Sequence, residues 1–124
     1  MKLEVGMYVR FKDKRGIEYI RKIVKIPEDN RYASLYLDKD ANYSKGLSLK
    51  NVIKASYNII DLIKSKDIIL GKDGKIYQCW KIYKDYVFTY SKNKQGQTIT
   101  LVDYQIDKIL TKEQIEQMTY KVGE

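Results

Sequence analysis

Three polar tetrads cut this chain into short runs and constrain most strongly what it can fold into: Asp13-Lys14-Arg15-Gly16, Gly71-Lys72-Asp73-Gly74 and Asn93-Lys94-Gln95-Gly96. Each ends in glycine, which lets an extended chain reverse without a Cβ clash. Each also stands between runs rich in β-branched and aromatic residues. Pro27-Glu28-Asp29-Asn30 and Lys84-Asp85 add further reversals. The pattern predicts strands at 7–11, 17–26, 31–37, 47–53, 67–70, 75–83, 86–91, 97–102 and 104–109. In the run 17–26 the apolar phase changes near Ile20, from Ile17 and Tyr19 to Val24 and Ile26, which predicts a bulge or bend. The stretch 55–63 fits a turn of helix or a strand equally. Thr111 and Gln114 have capping-box spacing and predict a short terminal helix.

The halves carry a weak internal repeat. Gly16 and Tyr19 match Gly74 and Tyr77, Lys22-Ile23 matches Lys81-Ile82 after a one-residue slip, and Leu47-Ser48-Leu49 matches Ile99-Thr100-Leu101. Five short strands in about 55 residues is the grammar of a small barrel. The expected fold is mainly β: two tandem small SH3-like barrels, residues 1–56 and 57–124, with a short C-terminal helix. The competing arrangement is one meandering antiparallel sheet.

Several chemistries are excluded by residue type. The chain has no histidine, the commonest general base and metal ligand. Its one cysteine allows no internal disulfide and leaves a zinc site only carboxylates besides that thiolate. Cys79 sits beside Trp80 in an apolar strand and reads as a buried structural thiol. Gly71-Lys72-Asp73-Gly74 is too short to cradle a phosphate and leads into a strand. Asp38-Lys39-Asp40-Ala41-Asn42 begins like a calcium loop but has Tyr43 where such a loop needs glycine. The expectation is a protein that is not an enzyme, with no cofactor and no metal. Neither a signal peptide nor a membrane span is apparent, so a reducing cytoplasm, the host's, is the expected compartment.

Lys and Arg number 24 against 16 Asp and Glu, a formal charge of +8. That excess favours polyanionic partners, although a solvated lysine surface explains it as simply. All four arginines, Arg10, Arg15, Arg21 and Arg31, fall in the first quarter of the chain, and arginine is the better fork for phosphate. In the strand 75–83, strict alternation puts Lys75, Tyr77, Lys81 and Tyr83 on one side and Trp80 on the other. Alternating cations and aromatics can follow a phosphate backbone while stacking bases, or can pack against a neighbouring barrel. The candidate binding residues are therefore the four arginines with Tyr77, Lys81 and Tyr83. Tyr32, Ser34 and Tyr36 near the arginines form a second candidate surface, suited to a protein interface.

Three segments carry a resemblance: Leu3-Glu4-Val5-Gly6-Met7-Tyr8-Val9-Arg10, the stretch 55–63 (Ala-Ser-Tyr-Asn-Ile-Ile-Asp-Leu-Ile), and the stretch 109–122 from Ile109 to Val122. They resemble a group of small phage and prophage proteins of clostridia and related Firmicutes. Where such proteins open the second half with Val-Gly-Asp-Tyr-Val, this chain has Lys66-Asp67-Ile68-Ile69, without the glycine. The resemblance implies a binding protein that blocks or modulates a host nucleoprotein machine, an anti-CRISPR-like or anti-defence inhibitor. A charge of +8 runs against DNA mimicry and favours guide RNA, target DNA or an acidic protein surface as the partner. Two alternatives stand beside it: a direct DNA- or RNA-binding module for phage replication or transcription, and a small-molecule-sequestering protein with an apolar pocket.

Overall fold

The computed structural model describes residues 2–26, 34–37 and 47–118; Arg31, Tyr32 and the segment 38–43 lie outside them. The chain divides into two units, Met1–Leu62 and Ile63–Glu124, so the boundary falls after Leu62, whereas the sequence reading placed it after Ser56.

In the first unit, β1 (Tyr8–Lys12), β2 (Glu18–Lys25), β3 (Ser34–Leu37), β4 (Leu47–Ser48) and β5 (Val52–Ser56) form one antiparallel sheet in the order β4-β3-β2-β1-β5. Val9 and Phe11, two apart on β1, are fully buried with Met7 and Ile23, and Leu3, Tyr19, Ile26, Val52 and Ala55 close around them. On β2 the pairing with β1 runs without a slip, so Ile20, opposite Arg10, and Ile23 are buried on opposite faces; the irregularity falls after Ile23, before Lys25, and Val24 is exposed. The ambiguous stretch 55–63 resolves into the end of β5 and a 3-10 turn at Ile59–Leu62. Local side chains favour that turn: Ser56 Oγ accepts from the Asn58 N–H, and Asn58 Oδ1 accepts from the Ile60 N–H. Arg10 ties the turn down. Its Nη1 donates to the Leu62 carbonyl at 2.9 Å and its Nε to Glu18, and the residue is only 1% exposed.

In the second unit, β6 (Ile68–Gly71), β7 (Ile76–Ile82), β8 (Tyr86–Lys92), β9 (Thr98–Val102) and β10 (Ile106–Leu110) form a sheet in the order β10-β6-β7-β8-β9. The terminal helix α1 (Lys112–Met118) follows with the expected capping box. Gln114 N–H donates to Thr111 Oγ1 at 3.2 Å, and Thr111 N–H to Gln114 Oε1 at 3.0 Å. Asp67 is fully buried and also serves the helix, accepting from the Lys64 N–H at 2.8 Å and from the Lys112 N–H at 3.0 Å. Its carboxylate satisfies one of the N–H groups that the first turn of a helix leaves without a partner.

The two units repeat one order of elements, including a 3-10 turn before the fifth strand, at Leu49–Asn51 and at Asp103–Gln105. Their opening turns coincide. Met7 N–H donates to the Glu4 carbonyl and Asp67 N–H to the Lys64 carbonyl. The third residue of each turn has a positive φ: Gly6 at +96° and Lys66 at +75°. Gly6 and Met7 then exchange backbone hydrogen bonds with Ile23, as Lys66 and Asp67 do with Cys79. Ile23 therefore corresponds to Cys79 and not to Ile82. Anchored on the 3-10 turns, Leu47-Ser48 corresponds to Leu101-Val102. The slips in the sequence match arise because the first hairpin of the second unit has shorter strands.

All three glycine tetrads make the same backbone turn, the glycine N–H donating to the carbonyl of the first residue, and two of them cap it with the first residue's side chain. Asp13 Oδ1 accepts from the N–H groups of Arg15 and Ile17, and Asn93 Oδ1 from those of Gln95 and Gln97, with Gly16 and Gly96 at positive φ. The fold is thus mainly β with a short C-terminal helix, in two sheets. Among the described residues the edge strands of neither sheet pair with each other, yet a three-residue 3-10 turn carries the chain from one edge to the other, which requires each sheet to curl. The expected mainly β fold in two five-stranded units is present, with neither sheet closed into a barrel among those residues. No helix among the described residues is long and apolar enough to cross a membrane.

Candidate functional site

On β8 strict alternation sends Val87 and Thr89 to the buried side and Tyr86, Phe88 and Tyr90 to the other. On β7, Tyr77 and Cys79 are buried, but the register against β8 shifts: Cys79 faces Thr89, Lys81 faces Phe88, and Ile82 faces Val87. Trp80 and Lys81 together oppose the single residue Phe88. This is a β-bulge, and it turns two consecutive side chains to the same, exposed side of the sheet. Tyr83 follows beyond Ile82 and joins them.

The outcome is a continuous aromatic face. Phe88 sits at its centre, with ring centroids 6.2 Å from Trp80, 4.9 Å from Tyr83 and 5.6 Å from Tyr86. Trp80 also meets Tyr90 at 6.2 Å, and Tyr83 stacks on Tyr86 at 4.9 Å with an interplanar angle of 17°. Lys81 Nζ lies 5.4 Å above the Tyr83 ring, within cation–π range. Trp80 remains 49% exposed, Tyr90 52% and Tyr86 37%, so part of each of these side chains is open to solvent. The segment 80–97 that frames the face contains Lys81, Lys84, Lys92 and Lys94 against Asp85 alone.

The structure places Lys81 and Tyr83 on this face as the alternation predicted, but it separates them from Tyr77 and adds Trp80. Tyr77 is buried, and its hydroxyl donates to Asp73 Oδ2 at 2.6 Å. That bond pushes the Tyr77 hydroxyl above its ordinary range, with burial adding to it. The same bond, with the Lys75 N–H, holds the Asp73 carboxyl low. Tyr86, Phe88 and Tyr90 were missed, although 86–91 was read as a strand and its alternation carried the signal.

Arg10 is likewise corrected. Its guanidinium is enclosed and bonded to Glu18 and Leu62, which removes it from any anion-contacting surface. Arg15 and Arg21 do converge, around Tyr19. Arg15 Nη2 donates to Asp13 at 3.1 Å and to the Tyr19 hydroxyl at 3.3 Å, while the Arg21 guanidinium lies 5.8 Å from the Tyr19 ring centre. Burial alone would raise the Asp13 carboxyl, but the Ile17 N–H, the Arg15 side chain and the Arg15 N–H outweigh it and hold it low.

No group of three or more metal-ligating side chains occurs among the described residues. Cys79 is fully buried, and burial, helped by the Asp67 charge, pushes its thiol up to about 11, far from a reactive thiolate at neutral pH. A shallow recess of about 240 Å³ lies between Lys72, Asp73, Thr100, Tyr104 and Gln105, smaller than the roughly 300–1,000 Å³ of a typical ligand pocket. Comparison with protein families, curated proteins and solved structures finds no match to this chain.

Proposed function

We propose that this chain is a non-catalytic binding protein that contacts nucleic acid, free or held in a nucleoprotein assembly, through the aromatic–lysine face of β7 and β8. The observation that carries the reading is the bulge at Trp80 and Lys81, which collects five aromatic rings and a cation on one exposed sheet surface. The charge of +8 and the lysine-rich frame of the face favour a polyanion over a second basic surface. A role in blocking a host nucleoprotein machine would use the same face, by competing for its guide or target strand.

The test is a salt series of binding to mixed-sequence DNA and RNA, with wild type beside Lys81→Gln and Lys92→Gln. Affinity is expected to fall steeply with salt, each substitution lowering the logarithmic salt slope by about 0.7–0.9. Absence of binding to any nucleic acid, together with capture of one stoichiometric protein that survives nuclease, would replace this reading with a protein-surface inhibitor.

A further inference from the structure

We infer that the aromatic face selects unpaired strands and holds them by stacking bases on two ring platforms flanking Phe88; the inference rests on the nucleic-acid reading of the same face. One platform is Trp80 with Tyr90, the other Tyr83 with Tyr86. Phe88 touches both and serves as their pedestal. A duplex keeps its base faces inside its own stack, whereas an unpaired strand presents them, and every base has a π-face. The rings already support one another on a sheet, so little side-chain freedom is lost when a base lands on them.

The spacing sets the footprint. Tyr86 and Tyr90 are four residues apart on β8, at most about 13 Å at the rise of a strand, since β8 is irregular between Phe88 and Lys92. That distance covers about four nucleotides of a stacked strand, at about 3.4 Å each, and fewer of an extended one. Lys81 reaches the same surface because the bulge turns it there beside Trp80, so a phosphate can be met next to a stacked base. A cationic ligand fits poorly. Neighbouring rings are in contact and leave no cage, and Lys81 already occupies the cation position over Tyr83.

Trp80 is the sole tryptophan and reports its own platform. The experiment titrates the full chain at low salt with a twelve-residue oligothymidine and, separately, with a duplex of the same length, reading Trp80 fluorescence and anisotropy of labelled strands. The expected result is quenching by the single strand, with at least a tenfold preference over duplex. Tyr90→Ala and Tyr86→Ala should each weaken single-strand binding about 5- to 150-fold and leave duplex binding unchanged. Tyr90→Leu keeps apolar bulk without a ring and should show the same loss, which guards against a folding defect. Equal binding of both forms without quenching would overturn the stacking inference while leaving nucleic-acid binding intact. Binding of neither form would overturn both.

Discussion

Lys66 occupies a backbone position that its counterpart in the first unit gives to glycine, so Lys66→Gly should stabilise the second unit. The turn Lys64–Asp67 closes with the Asp67 N–H on the Lys64 carbonyl, and its third residue must take a positive φ, here +75°. For an L residue with a Cβ that region costs about 1–2 kcal/mol, and glycine removes the cost. Glycine also loosens the unfolded chain, which takes back about 0.4–1 kcal/mol. The net expectation is a gain of about 0.5–1 kcal/mol, or about 2–8 °C in Tm for a unit of this size. Urea unfolding followed by Trp80 fluorescence reads the second unit directly, and the slope m should stay constant while the midpoint rises. Lys66→Ala is the control: it deletes the side chain but keeps the Cβ, and should not stabilise. In the other direction, Gly6→Ala should cost the first unit about 1 kcal/mol. A Cβ there would meet only Tyr57 Cε1, at an ordinary 3.7 Å, so the backbone angle alone carries the loss. A Lys66→Gly chain no more stable than wild type, or a Lys66→Ala chain equally stabilised, would refute the argument from φ.

Two further predictions concern internal polar contacts. Arg10→Ala should destabilise the first unit by about 3–5 kcal/mol, because it leaves the Glu18 carboxylate and the Leu62 carbonyl without the guanidinium; thermal unfolding by circular dichroism measures it, and a loss below about 1 kcal/mol would contradict a structural role. Acid should weaken both hairpins, since Asp13 and Asp73 have carboxyls lowered in the folded state. Their stabilisation is complete above the ordinary carboxylate range and is lost as pH falls through the lowered folded values, so unfolding midpoints should decline below about pH 4. Asp13→Asn should flatten its share of that decline while keeping the turn, because Asn93 makes the same turn with an amide oxygen; an unchanged acid limb would reject the assignment.

The turns and the helix cap were legible because their chemistry is local. Asp13, Asn93 and the pair Thr111–Gln114 bond to backbone within four residues, so short windows contain the whole cause. Arg10 was not legible. What encloses it is a carbonyl 52 residues away, and nothing near Arg10 in sequence announces that partner. The aromatic face was half legible. Alternation gave Lys81 and Tyr83 but assumed a strict period of two across 75–83. The sign of a break was present in that run: Tyr77, Cys79 and Ile82 are its inward residues, and the last two are three apart.

That break belongs to the plan the two units share: in the first unit Val24 and Lys25 oppose a single residue of β3 after Ile23, as Trp80 and Lys81 oppose Phe88 after Cys79, so the difference between the units lies in the side chains. In the first unit the described arginines engage the unit's own groups: Arg10 holds Glu18 and Leu62, Arg15 holds Asp13, and Arg21 bonds the Ile20 carbonyl beside Tyr19. In the second unit the same bulge, after Cys79, the counterpart of Ile23, turns Trp80 and Lys81 outward against Phe88, where the first unit has Val24 and Lys25. Deleting Lys81 would restore the alternation and leave Ile82, the last residue of β7, opposite Val87, while taking away the outward lysine. The bulge therefore adds a second outward side chain beside Trp80 while Ile82 keeps its inward place opposite Val87.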